Sequence, residues 1–231
     1  MGNKSVLNNS HSREGGNLTR KDMAEDLTLK WLGIAREIQQ LAQTGAAFAV
    51  TDYEKNRYKR LNEITAEIIE HHTTLEKESV TKVLMEHPGY ATPKIDVRAA
   101  VIKDGKILLV QESTDNCWAM PGGWADVGDV PSEVAIRECK EESGFDVKPF
   151  KVIGVFDANR VGGHLEFFHA FKIIFLCELV GGEATPSDET LDVQFFDFNS
   201  LPQLSLNRTN EKHLNEIKLH LQNSDRQTFF D

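Results

Sequence analysis

Gly122-Gly123-Trp124-Ala125-Asp126-Val127-Gly128-Asp129-Val130-Pro131-Ser132-Glu133-Val134-Ala135-Ile136-Arg137-Glu138-Cys139-Lys140-Glu141-Glu142-Ser143-Gly144-Phe145 is the stretch that decides the fold. A glycine-rich loop runs into a short, acidic helix that a glycine closes. Glu138 and Glu142 stand one helical turn apart and Glu141 three residues after Glu138, so the three carboxylates point to one side. Ala135 and Cys139 share another side, suited to a core. Like charges at this spacing repel by roughly a few tenths of a kcal/mol per pair in an isolated helix, a cost that a bound cation compensates. Hard cations such as Mg²⁺ and Mn²⁺ take carboxylate oxygens, and Mg²⁺ keeps positions open for water and phosphates. For a Glu-rich helix taken alone, a solvated acidic face is the competing reading.

The residues around the acids separate the two readings. Gly123, five residues, Asp129, seven residues, then Arg137-Glu138-Cys139-Lys140-Glu141-Glu142-Ser143-Gly144-Phe145 resembles the Nudix box. That box runs Gly, five residues, Glu, seven residues, Arg-Glu-aliphatic-any-Glu-Glu-any-Gly-aliphatic. Asp129 departs from it, standing where the family has Glu. In the family that Glu pairs with the Arg and orients the helix, so the resemblance implies a structural pair, Asp129 with Arg137, and no principal ligand role for Asp129. The resemblance covers about Thr92 to Asn223. A helical segment, then Thr92-Pro93-Lys94-Ile95-Asp96-Val97-Arg98 and Pro121–Gly128, is similar to a bacterial subgroup of ADP-ribose and CDP-choline pyrophosphatases, over nearly everything after the first residues.

The resemblance implies an α/β/α sandwich around a mixed sheet, preceded by a small all-α N-terminal domain. It implies Mg²⁺ or Mn²⁺ as cofactor, with Glu138 and Glu142 as main ligands and Glu141 as ligand of a second ion or partner of the water. A carbonyl of Gly122 or Gly123 completes a shell. Nudix enzymes often bring a further carboxylate from a loop at the position of Pro186–Thr190, where Glu189 fits and Glu183 and Asp188 are rivals. The general base is Glu138 or Glu189, and the sequence leaves that choice open. The implied reaction cleaves a nucleoside diphosphate linked to a group X into a nucleoside monophosphate and phospho-X, in a homodimer. A hydrolase of RNA ends or nucleoside triphosphates is the second enzyme class, and a non-enzymatic nucleotide sensor the third; sensors tend to lose box acids, whereas Glu138, Glu141 and Glu142 are all present.

Composition is that of an ordinary globular chain, 40% apolar and 27% charged over 231 residues. A formal net charge of −10 disfavours broad binding along a nucleic-acid backbone and suits a small anion brought in through metal ions. Cys117, Cys139 and Cys177 lack paired spacing, which excludes a disulfide framework or zinc knuckle and fits a reducing cytoplasm. Neither a run of about 18 apolar residues nor an apolar signal core appears, so no membrane partner is expected.

In chain order, residues 1–21 are polar and expected to be a disordered tail. Residues 22–90 read as a helical domain. Leu27, Trp31, Ile34, Ile38 and Leu41 mark a helix expected to stop at Gly45, and Thr51–Glu54 has capping-box spacing ahead of Leu61, Ile64, Ile68 and Ile69. Thr73–Glu76 repeats that spacing before Val80, and Pro88-Gly89 ends the segment. Three such helices have little core of their own, so their stripes are expected to meet another surface. Residues 91–231 read as the hydrolase domain. Its first strand alternates Ile95, Val97 and Ala99 with Asp96, Arg98 and Ala100, and Asp104-Gly105 turns into a second. Arg98, on the non-core face, reads as a surface residue, with a phosphate contact as the alternative. Trp118 reads as loop packing, with stacking on a base as the alternative. Strands follow at Phe150–Phe156, Leu165–Cys177 and Val193–Asp197, then a helix with Leu214, Ile217 and Leu221.

Overall fold

A computed structural model describes residues 20–73, 76–86, 91–158 and 169–231. The chain divides into two compact units, Met1–Pro88 and Gly89–Asp231. Residues 1–19 of the expected tail, the Pro88-Gly89 helix end and the Leu165–Phe168 part of a strand lie outside the described residues, whereas Arg20 and Lys21, expected in the tail, begin the first helix.

In the first unit α1 (Arg20–Phe48) and α2 (Asp52–His72) pair antiparallel, with α3 (Lys77–Glu86) after them. The capping box at α2 forms: the Thr51 hydroxyl accepts from Glu54 N, and the Glu54 carboxylate accepts from Thr51 N at 2.9 Å. Two expectations are corrected. First, α1 does not stop at Gly45 but continues to Phe48, because this glycine faces α2, where a Cβ would overlap the Tyr58 ring. Second, Thr73 does not cap α3; it is the C-cap of α2, its hydroxyl donating to Ile69 O at 2.8 Å. Ala35 and Ala42 of α1 and Ala66 and Ile69 of α2 are fully buried and Leu32 is buried, whereas Trp31, Ile34 and Leu61 of the stripes stay exposed, as do Leu41 and Phe48. Trp31 stacks on His72 with ring centroids 5.5 Å apart.

The second unit is built on β1 (Lys94–Lys103), β2 (Lys106–Glu112), β3 (Trp118–Ala119), β4 (Gly122–Trp124), α4 (Pro131–Ser143), β5 (Phe145–Asp157), β6 (Ala170–Gly182), β7 (Thr190–Asp197), α5 (Glu211–Gln222) and β8 (Phe229–Phe230). The sheet runs β3-β2-β1-β6-β5-β8, with β4 added to β1 and β7 to β2. It is mixed: β1 is parallel to β6 through Lys94↔Ala170 to Val101↔Cys177, and antiparallel to β2 across the Asp104-Gly105 turn. On one face Val97, Ala99, Val101, Leu108 and Val110 pack on Val134, Ala135 and Cys139 of α4. On the other, Ala100, Ile107, Leu109, Ile153, Phe156 and Ile174 pack on Leu214 and Ile217 of α5. This is the expected α/β/α sandwich after a helical N-terminal region. Among the described residues no helix is long and apolar enough to cross a membrane.

Candidate active site

The acidic helix is held at both ends. Pro131 occupies its first turn, and Gly144 closes it at φ +77°, its N–H donating to Lys140 O at 3.0 Å. With Val134, Ala135 and Cys139 committed to the core, the three box carboxylates fall into different surroundings. The Glu142 residue is buried, the Glu138 side chain is 14% exposed and the Glu141 side chain is 61% exposed.

The glycine-rich loop lies against the first two. β4 pairs with β1 through Arg98↔Gly122 and Val97↔Gly123, so tightly that a Cβ on Gly122, at φ +147°, would overlap Val97 O. From there Gly122 N donates to Glu142 Oε2 at 2.9 Å. A Cβ on Gly123 would stand 2.8 Å from Glu138 Oε2, so a side chain there would push that carboxylate aside. Burial pushes the Glu142 pKa up to about 7 against the opposing pull of Arg98, and burial likewise raises that of Glu138.

Arg137 Nη1 donates to Glu138 Oε1 at 2.6 Å, and Nη2 donates to Asp129 Oδ2 at 3.1 Å. Asp129 reaches Arg137 despite its shorter side chain because Asp126 N also donates to its Oδ2, at 3.0 Å, drawing the loop in. Glu141 lies at 3.7 Å on the same guanidinium.

Arg98 is not at the surface: the sandwich covers both faces of β1, and the residue is 6% exposed. Its Nε donates to Asp96 Oδ1 at 2.8 Å and its Nη1 to Met120 O at 3.2 Å. Its charge acts on Glu138 and Glu142 from inside the protein. Lys172, wholly buried on β6, shares Asp96 at 3.1 Å and donates to Asn207 O and Arg208 O at 2.8 and 2.6 Å. Trp118 packs edge-on against Phe196, ring centroids 4.7 Å apart, the packing role expected of it.

Glu189 sits exposed on its loop, which is stitched to the helix: Thr190 Oγ1 donates to Glu142 O at 2.8 Å and Ser113 N to Glu189 O at 3.0 Å. Sequence reasoning missed Glu112, the last residue of β2, which ends an apolar run and looked like an ordinary strand terminus. It is buried within electrostatic reach of Glu142, Arg98 and Glu189, and burial raises its pKa. It also missed Asp96, Lys172 and Arg208, which are joined by contacts far apart in sequence, Lys172 with Asp96 and Arg208 with Glu112.

As they stand, no three His, Cys, Asp or Glu side chains among the described residues are drawn together around one point; Glu138 is turned onto Arg137 and Glu142 onto the loop N–H. The donor set nevertheless fits a hard divalent ion. Burial penalises the charge of Glu112, Glu138 and Glu142, Glu142 is within electrostatic reach of the other two, and a glycine backbone lies beside Glu138 and Glu142.

Comparison with known proteins gives the family. The model for the NUDIX domain matches residues 93–217, and that for the UDP-X-like, N-terminal oligomerisation domain matches residues 29–84. The chain is 35% identical over 202 residues to a Bacillus subtilis protein provisionally named an ADP-ribose pyrophosphatase, covering 87% of this chain and 97% of that protein. It is 33% identical over 128 residues to the ADP-ribose pyrophosphatase of Methanocaldococcus jannaschii, 53% of this chain and 72% of that one. Among solved structures, a UDP-X diphosphatase superposes with a TM-score of 0.57 at 32% identity, over 88% of this chain and 99% of that one. An ADP-ribose pyrophosphatase from Streptococcus suis superposes with a TM-score of 0.55 at 38% identity, over 61% of this chain and 100% of that one.

Proposed function

Because the chain belongs to the Nudix hydrolase family, we propose that it is a divalent-metal-dependent pyrophosphohydrolase that splits a nucleoside diphosphate linked to X into a nucleoside monophosphate and phospho-X. The observation that carries this reading is the pair of inward-turned carboxylates, Glu138 and Glu142, lying against the bare Gly122-Gly123 backbone. In the proposed site Glu138 and Glu142 hold the ion, a loop carbonyl of Gly122 or Gly123 supports it, and Glu141 serves from the exposed rim. Mg²⁺ or Mn²⁺, when bound, neutralises diphosphate charge and lowers the pKa of an attacking water. Glu138 or Glu189 takes the water's proton; Glu189 has the freer access to solvent. Asp129 and Arg137 orient the helix, and Arg98 serves as an internal counter-charge rather than as a phosphate ligand at the surface.

ADP-ribose, UDP-linked compounds and CDP-choline are the first substrates to try, the former two being the chemistry named for the relatives. With Mg²⁺ or Mn²⁺ present, a panel of these with dGTP and a short 5′-triphosphate RNA should show at least about tenfold higher kcat/KM for one of the diphosphate conjugates. Preference for dGTP or RNA would replace this reading with the second enzyme class, and turnover of none would favour the sensor.

The helical unit is proposed as a dimer surface. Its exposed Trp31, Ile34, Leu41, Phe48 and Leu61 are costly to leave in water, at about 25 cal/mol per Å², and its match to an oligomerisation domain supports the assignment. Removing residues 1–20 should change neither assembly nor activity. Removing residues 1–90 should give a poorly soluble or monomeric protein; light scattering showing a soluble dimer would refute the assignment.

A further inference from the structure

We propose that His213 is a positioning residue for the glycine-rich loop, and that it holds the loop only while its imidazole is neutral. The part this loop plays in catalysis rests on the hydrolase reading above. His213 is 1% exposed in the first turn of α5, its ring edge-on to Phe156 of β5 with centroids 4.9 Å apart. It completes a capping box: its N–H donates to Asn210 Oδ1, and Asn210 N donates back to its Nδ1, each at 3.2 Å. Because Nδ1 accepts, the single proton of the neutral ring stands on Nε2, a buried atom with no hydrogen-bond partner among the described residues. A second proton would have to go on Nδ1, against the Asn210 N–H, and neither ring nitrogen would then have an acceptor.

The surroundings oppose that second proton. Burial holds the His213 pKa well below its ordinary value, and Lys172 on β6, Arg98 on β1 and Lys212 on α5 push it the same way. Asp96 on β1 pulls against them, but its carboxylate is already shared between Arg98 and Lys172. Protonation therefore opens the cap instead of finding a new partner. The chain just before the cap anchors the glycine-rich loop: Thr209, wholly buried, accepts from Met120 N on its Oγ1 at 2.8 Å, and Asn207 O and Arg208 O accept from Lys172. From Met120 the backbone leads directly to Gly122, whose N–H donates to Glu142 Oε2. A histidine held neutral in this way stabilises the fold above its unfolded value of 6.5, and that contribution is lost as the pH falls below it towards the folded value.

Amide hydrogen exchange of the full chain in EDTA, at pH 7 and pH 5 and corrected for intrinsic rates, tests this with neither substrate nor ion, so a failure here is separate from a failure of the hydrolase reading. Relative to the Leu108 amide in the core, protection of the Asn210 and Met120 amides in the wild type should fall together by about tenfold at pH 5. In His213→Gln, which does not titrate and offers the cap an acceptor as Gln does in capping boxes, both should hold within about threefold. An equal fall in the variant would overturn the proposal, as would loss at Asn210 with Met120 unmoved, since His213 would then be a helix cap and nothing more. Should His213→Gln fail to fold, the ¹³Cε1 resonance of His213 in the wild type decides. A ring still neutral at pH 6, with both amides losing protection in step with its protonation, supports the assignment; a ring that titrates while Met120 stays protected overturns it.

Discussion

Glu142→Gln should lower kcat at least about 10²-fold in saturating Mg²⁺ while making the chelated protein more stable at pH 8. Both effects are expected of one buried carboxylate whose charge the proposed cation would offset. Gln keeps the size of the side chain and an oxygen for the Gly122 N–H, and removes only the charge. The sign of the stability effect follows from the direction of the shift. Burial raises the folded-state pKa of Glu142 from 4.5 to about 7, so the folded state binds the proton more tightly than the unfolded chain. The penalty is absent below the unfolded value, grows between about pH 4.5 and 7, and is complete above that, where it amounts to something on the order of 3 kcal/mol. Thermal unfolding in EDTA should therefore show the variant gaining on the wild type as pH rises from 5 to 8. A kcat within threefold of wild type would reject Glu142 as a main ligand, and a variant destabilised at pH 8 would reject the electrostatic account.

Asp96→Ala should be the most destabilising single substitution in the hydrolase unit that leaves the box acids intact. Asp96 is the shared counter-ion of Arg98 and Lys172, both buried, at 2.8 and 3.1 Å. Burial works against its charge, yet the two cations outweigh that and hold its pKa below the usual carboxylate value. Removing the carboxylate strands two buried cations, which costs about 3–5 kcal/mol, or roughly 10 °C in thermal midpoint for a chain of this size. Asp96→Asn, which keeps an acceptor for the Arg98 Nε–H, should lose less. A loss under about 1 kcal/mol in Asp96→Ala would mean that water reaches these groups.

These two residues mark the limits of what the sequence discloses. The acidic helix was legible because its periodicity, its closing glycine and the spacing from Gly123 to Glu142 are all local. The sandwich was legible because Asp104-Gly105 and the apolar runs announce hairpin and strands. Arg98 was misread because alternation along a strand assumes one solvent face, whereas β1 is central and α4 and α5 cover it from both sides. Asp96, Lys172 and Arg208 assemble only through the parallel β1–β6 register and the loop before α5, contacts that no short-range pattern encodes. Hydrophobic periodicity located α1 but not its end, since Gly45 lies inside the helix against Tyr58.

The most direct test of the central claim is hydrolysis of ADP-ribose by the full chain, with products resolved by chromatography, first in EDTA and then after restoring Mg²⁺ or Mn²⁺ in excess. The carboxylate site described above predicts no turnover in chelator and recovery with the ion, yielding AMP and ribose 5-phosphate in equal amounts. Undiminished hydrolysis in EDTA would contradict it.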